Sequence, residues 1–271
     1  MSLLWRDEIG VHLSPRRVCL VRVARGIRPT LAAEHEQEVG SETAGHWTGA
    51  LAALDGLLAE SQWQGATLRV VLADCWARYA IVPWAADLSS SQERLGHARQ
   101  LLASTYGDAV SGWDVRLSDA PPQCSRIACT LPAELLENVR GICSKHGTKL
   151  ATLQPQLVVA YENWRRHLPA SGGWFVTVGA GTLAAARVAR HSWDRVHNVR
   201  IGSDWARDLK RLQTFGRLAS ASPDEGQVYV DAPQAWREVA GAAGRDLHWL
   251  EDDAGSHSTL QRLGRVQRLA A

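Results

Sequence analysis

Only two phenylalanines and one methionine occur among 271 residues, and no stretch approaches the ~20 consecutive apolar residues of a membrane-spanning helix. The opening MSLLWRDE places an acidic pair within eight residues and has no apolar run of about 7 to 15, so no secretory signal is expected. No CxxC pair occurs, and the five cysteines (Cys19, Cys75, Cys124, Cys129, Cys143) are odd in number. That argues against a disulfide framework and points to buried free thiols in a reducing compartment. Charge of one sign is also scarce: 30 Lys and Arg face 28 Asp and Glu, for a net +2. A nucleic-acid binder concentrates basic residues on one face, and no such face is legible. No GxSxG elbow, HExxH pair or GxxxxGK(S/T) loop is present, and His191 and His197, with Asp194 nearby, read as surface hairpin residues.

Against these shortages stand twelve tryptophans, scattered from Trp5 to Trp249 without a period, which assigns them to core and lobe-interface packing. The clearest local signal is the stretch 172–202. An apolar, β-rich run from Trp174 to Val178 ends in Gly179-Ala180-Gly181. Thr182 to Val188 and Arg195 to Ile201 follow as two further strands of a meander. The start of the chain repeats this more weakly, with Ile9 to Leu13, a turn at Ser14-Pro15-Arg16, and Val18 to Val23. Two such hairpins about 165 residues apart imply an internally duplicated fold. A chain of this length can bury roughly 70 to 75% of its unfolded surface, enough for two lobes.

The remaining elements follow in order. Thr30 to Glu36 is a third strand. His46 to Ser61 is a helix, with Trp47, Leu51, Leu54, Leu57 and Leu58 at helical spacing, and Leu68 to Ala73 is a buried strand. A section of different character then runs through strand Trp76 to Val82, helix Ser91 to Tyr106 from a Ser-rich cap, strands Trp113 to Leu117 and Arg126 to Leu131, and helix Pro132 to His146. Strand Leu150 to Leu153 and helix Gln156 to Leu168 lead to the loop Pro169 to Gly173, the expected lobe boundary. After the meander come helix Ser203 to Phe215, strand Gln227 to Val230, helix Pro233 to Ala243, strand His248 to Leu250 and helix Thr259 to Leu269. The expected domains are a first lobe, 1–171, with an inserted subdomain at about 75–148, and a second lobe, 172–271. The basic residues Arg207, Lys210, Arg211 and Arg217 read as one solvated helix face. Arg262, Arg265 and Arg268 line the last helix beside an apolar side expected to pack on its own lobe.

This order resembles the actin-like ATPase architecture, an α/β fold of two related lobes, each with a phosphate-binding hairpin. The insertion resembles the variant subdomain of FtsA and of PilM, the type IV pilus assembly protein. Gly10-Val11-His12-Leu13-Ser14-Pro15 with Val18 to Val21 is similar to the first motif of PilM and of the pilus protein MshI, and Arg78 to Pro83 (RYAIVP) to their strand of that type. Phe175 to Thr182 with Val199-Arg200-Ile201-Gly202 is similar to their second phosphate motif. The resemblance implies a nucleotide cradle at Gly10, His12, Ser14, Thr177, Gly179, Gly181, Thr182 and Gly202. It also implies docking on the cytoplasmic tail of a membrane-anchored partner of the PilN kind and a link to the motor ATPase. The related secretion protein GspL carries its own membrane span, so here a separate anchor and a peripheral, cytoplasmic place at the inner membrane are expected. Arg78, Tyr79 and Ile81 are the expected partner contacts.

ATP-binding members carry an acid in each hairpin, because Mg²⁺ at the phosphates is commonly held by carboxylates. Here those positions are His12 and Thr177, so hydrolysis is expected to be absent or very slow, with no cofactor. Asp7 and Glu8 precede the strand, and Asp204 reads as a first-turn helix acid. The Gly179-Ala180-Gly181 amides can still face a phosphate, or form a plain tight turn. An active ATPase with other carboxylates stays open. So does a dinucleotide enzyme, since Gly179-x-Gly181-x-x-Ala184 satisfies GxGxx(G/A) if Thr182 to Arg190 is a helix, with Asp204 downstream.

Overall fold

The computed structural model describes residues 6–26, 30–40, 45–88, 90–189, 192–202, 204–218, 226–240 and 247–250, with backbone alone at 213 and 215–218. The expected helix 259–269, the cap at Ser203 and His191 lie outside these residues, as does the Arg217 side chain.

By packing, residues 74–133 group with 160–250, and residues up to 73 group with 134–159. Chain order alone places the inserted segment with the first lobe.

The first unit is built on a five-stranded sheet in the order β3-β2-β1-β4-β8. Its strands are β1 (Glu8–Ser14), β2 (Arg17–Ala24), β3 (Thr30–Glu38), β4 (Thr67–Leu72) and β8 (Lys149–Pro155). β1 and β2 are buried on both faces, which is why they read as near-continuous apolar runs rather than alternating ones. Helix α1 (Thr48–Leu58) buries Leu51, Leu54, Leu57 and Leu58 at the predicted spacing, and it joins β3 to β4, which lies parallel to β1. Cys19, Val21, Val23 and Val71 pack with Val159 in a further cluster.

The second unit repeats the plan. Its sheet runs β11-β10-β9-β12-β13, from β9 (Gly173–Gly179), β10 (Thr182–Ala189), β11 (Ser192–Arg200), β12 (Gln227–Asp231) and β13 (His248–Trp249). Helix α5 (Trp205–Leu218) buries Trp205 and Leu209 in one cluster with Trp174, Val176, Val178, Leu183 and Val230, and α6 (Gln234–Ala240) adds Ala240. The correspondence reaches single residues. Ser14 faces Arg17 across the first two-residue turn as Gly179 faces Thr182 across the second. Both outer pairings shift register at matching places, Arg22/Val23 and Arg187/Val188. On this alignment His12 corresponds to Thr177. Val71 and Asp231 correspond as their neighbours on the adjoining parallel strands.

The insertion forms its own sheet, β5-β7-β6, from β5 (Arg78–Val82), β6 (Trp113–Leu117) and β7 (Arg126–Pro132). Helix α2 (Ser91–Tyr106) covers one face through Ala98 and Leu102, packed on Val82, Val115 and Ala128. Its start is the expected cap: the Ser90 hydroxyl accepts from the Glu93 amide while the Glu93 carboxylate accepts from the Ser90 amide. Helix α3 (Ala133–Lys145) leads back to β8, and α4 (Gln156–Trp164) follows it.

Several boundaries differ from expectation, three of them for plain local reasons. β5 starts at Arg78 rather than Trp76, because Asp74–Trp76 forms a 3₁₀ turn. The α1 helix stops at Leu58, where another 3₁₀ turn, Ser61–Trp63, takes over. α4 stops at Trp164 rather than Leu168, and its final turn loosens ahead of Pro169, whose ring disfavours helical backbone at the residue before it.

Candidate functional site

The two hairpins present different chemistry at their tips. In the first, Pro15 supplies no amide N–H, and the Ser14 hydroxyl donates to the Arg17 carbonyl at 2.8 Å. Ser14 is buried, and Gly10 lies buried mid-strand. His12 is half-buried between Cys19 of β2 and Val71 of β4. The second tip is a two-residue turn with Ala180 at φ 50 and Gly181 at φ 71, left-handed backbone at both central residues, as a type I′ hairpin needs. Space is open around a Cβ added at Gly181, and its carbonyl accepts from the Ile201 amide at 3.0 Å, tying the turn to the end of β11 next to Gly202. Thr182 is buried opposite Arg200.

Thr177 does not face an open cradle. It is buried, and its hydroxyl donates to a carboxylate oxygen of Asp74 at 2.8 Å. The other Asp74 oxygen accepts from the Tyr79 hydroxyl at 2.5 Å. Asp74 is 5% exposed and follows the carboxyl end of β4, on the 3₁₀ turn that precedes β5. Its carbonyl and that of Ala77 accept from the Asn198 side-chain amide of β11 at 2.8 and 3.0 Å. Arg78 braces the same turn, donating to the carbonyls of Cys75 at 3.1 Å and Ala77 at 2.7 Å. Burial pushes the Tyr79 phenol well above its usual value, and the Asp74 charge adds to this, so Tyr79 keeps its proton and acts as the donor. Burial likewise raises the Cys75 thiol to about 12 and lifts Cys129 further, so neither is a thiolate nucleophile.

The site residues read from sequence therefore fall into separate groups. Thr177 and Tyr79 converge on one buried carboxylate, Asp74, that sequence reasoning does not single out, and Arg78 braces the turn that carries it. Ile81 is half-buried on β5, paired with Ile127. Gly10, His12 and Ser14 belong to the first unit's hairpin, and Gly179, Gly181, Thr182 and Gly202 to the second's. Asp231, buried at the carboxyl end of β12 beside Thr177 in register, was also missed. One signal is available for both acids: each directly follows a run read as a strand, Leu68 to Ala73 before Asp74 and Gln227 to Val230 before Asp231, and carboxyl ends of parallel strands are where such folds place polar groups.

Mg²⁺ and ATP, which this fold implies, can be tested against these groups. A hydroxyl whose only proton is given to Asp74 and a carboxylate that already accepts from two buried hydroxyls do not form a hydrated Mg²⁺ shell. The residues present in the second hairpin do not fit the ion. The dinucleotide alternative fails on geometry: Thr182–Ala189 is a strand paired on both sides, so no helix N-terminus follows the glycines.

Among the described residues no helix is long and apolar enough to cross a membrane. No family model matches the chain, and no curated protein matches it. Solved structures do. The PilM-PilN type IV pilus biogenesis complex matches at 14% identity and a TM-score of 0.66, over 97% of this chain and 98% of that one. A protein of actin-like ATPase fold and unknown function from Bacteroides thetaiotaomicron matches at 10% and 0.63, over 98% of each chain. The cytoplasmic domain of EpsL, an inner-membrane component of the Vibrio cholerae type II secretion system, matches at 10% and 0.58, over 98% and 95%. The chain has the actin-like ATPase fold, in the form that PilM and the EpsL cytoplasmic domain share.

Proposed function

We propose that this chain is a non-catalytic actin-like scaffold of a type IV pilus or type II secretion-like assembly platform. It works at the cytoplasmic face of the inner membrane and docks on the tail of a membrane-anchored partner of the PilN kind, with the motor ATPase as a further contact. The observation that carries the loss of catalysis is the Thr177 hydroxyl donated to Asp74 at 2.8 Å, where an ATP-binding hairpin would hold a free acid. The platform assignment is supported by likeness over nearly the whole chain to the PilM-PilN complex and to the EpsL cytoplasmic domain.

Tail docking is assigned to the inserted sheet. Tyr79 and Arg78 shape it from within, while the half-buried Ile81 and Trp84, 46% exposed just beyond β5, offer an apolar anchor. Exposed tryptophans of this kind are frequent hot spots. Isothermal titration with Mg-ATP is expected to give no heat at micromolar nucleotide, and micromolar binding or phosphate release overturns the non-catalytic reading. Co-purification with the partner's tail peptide is expected to fail for the Ile81→Ala, Trp84→Ala double variant. Undiminished capture moves the docking surface elsewhere.

A further inference from the structure

The outer edge of β3 is open. The strand pairs with β2 along its length, but on its other side no described strand meets it. Seven of its nine residues are exposed, and it carries no proline. Such an edge presents alternate backbone N–H and C=O groups to any extended chain that reaches it.

The second unit shows how the same edge looks when covered. β11 occupies the equivalent place in its sheet, and β5 of the inserted sheet lies against it. Asn198 of β11 donates to the Asp74 and Ala77 carbonyls, the Ser192 hydroxyl accepts from the Ser125 amide, and only two of β11's nine residues are exposed. Among the described strands neither edge gains a further ladder partner, but β11 is packed over by the inserted sheet and β3 is not.

The chemistry of β3 says what fills it. Glu34, Glu36 and Glu38 alternate on one face, opposite Val21, Cys19 and Arg17 of β2. Glu36 is paired with Arg17 at 2.6 Å, whereas Glu34 and Glu38 have no cation within ion-pair distance among the described residues. Leu31, 49% exposed and opposite Val23, supplies an apolar patch near the strand's other end. A second copy of this chain is a poor occupant, because two such edges meeting about a two-fold axis would set acid against acid.

We infer that β3 takes an added strand from a different protein: an extended segment with Lys or Arg at alternate positions and an apolar residue that covers Leu31. Main-chain pairing supplies attachment, and the Glu34 and Glu38 carboxylates set register. This does not rest on the pilus reading and stands or falls separately from it.

The test uses the full chain and a blocked nonapeptide that alternates threonine with three lysines and ends in valine and threonine. The peptide is expected to bind and to slow amide hydrogen exchange within residues 30–38. A version N-methylated at alternate amides is expected to lose binding. The double variant Glu34→Lys, Glu38→Lys is expected to weaken the lysine peptide about tenfold and to favour a glutamate version instead. Glu34→Gln with Glu38→Gln replaces it if its circular dichroism departs from the parent's, with a smaller loss in the same direction. Equal binding by the N-methylated peptide, indifference to the charge changes, or exchange protection outside β3 overturns the proposal. So does sedimentation showing a dimer that these variants break apart.

Discussion

The two sheets share strand order, turn length and the place of their register shift, yet they treat equivalent positions in opposite ways. Leu31 and Trp193 illustrate this most clearly: each stands opposite the valine that follows the shift, Val23 in one unit and Val188 in the other. Leu31 is 49% exposed, whereas Trp193 is 7% exposed, with its ring 4.5 Å from that of Tyr161. The hairpins diverge too. His12 lies beside Val71 in the first, and Thr177 lies beside Asp231 in the second, where its hydroxyl also holds Asp74. Duplication fixed the backbone. Local chemistry then made one copy an internal joint and left the other with a bare rim.

The sharpest way to break this comparison is Trp193→Ala. A buried tryptophan with an aromatic neighbour leaves a cavity on truncation, so a loss of ~3–5 kcal/mol in urea unfolding is expected. A loss below about 1 kcal/mol would mean that the covered edge is no better packed than the open one. Next in size is Asp74→Ala, which strips two buried hydroxyls, Tyr79 and Thr177, of their acceptor. The expected cost is ~2–4 kcal/mol. Thr177→Val in that background should then cost little, because the hydroxyl it removes has no partner left.

Much of this arrangement was legible beforehand because it is written in periodicity. The helical spacing of Leu51, Leu54 and Leu58, the Ser-rich cap of α2, and the glycine turn after Val178 each depend on residues close in the chain, and each formed where expected. The partners of Asp74 were not legible. Thr177 lies 103 residues from it and Asn198 lies 124 away, and no local pattern announces a hydrogen bond across such a span. The sequence offers Arg78 and Tyr79 only as partner contacts on a strand. The 3₁₀ turn at Asp74–Trp76 brings the Tyr79 hydroxyl and the Arg78 guanidinium onto the chain that precedes them.

Gly173 gives a backbone version of the comparison. Its equivalent in the first unit is Glu8, whose side chain reaches Arg25 at 2.5 Å and Arg69 at 3.2 Å. At Gly173 a Cβ would sit 2.4 Å from the Gln227 carbonyl oxygen, so Gly173→Ala must push β9 away from the start of β12. A cost of ~1–3 kcal/mol is expected, and a neutral result would show that this pairing gives way easily. Alkaline pH should act progressively, over a defined window. Cys19 and Cys75 ionise near 9.0 in the unfolded chain and are raised to about 12 in the fold, chiefly by burial, and Tyr79 is raised above 10.0 for the same reason. These groups leave stability intact below about pH 9. Above that the unfolded chain releases protons that the fold retains, and stability falls by up to ~1.4 kcal/mol per pH unit per group until the folded values are reached. Cys75→Ala should flatten part of that decline, and an unchanged slope would show that this thiol is not sheltered.

The smallest expected effect tests the open edge from the folded state alone. Leu31 rests on one face of β3, and half of it is already in water, so Leu31→Ala should change stability by no more than about 0.5 kcal/mol. The size of that number discriminates, because the equivalent Trp193 is expected to cost several times as much. If Leu31→Ala approached the cost of a core truncation, something would already be packed over β3 in the isolated chain, and the edge could not be waiting for another protein's strand. If the change is small in the free chain but grows once the lysine and valine peptide is present at saturation, Leu31 is covered only on pairing. The difference between those two measurements is then the leucine's share of the added strand.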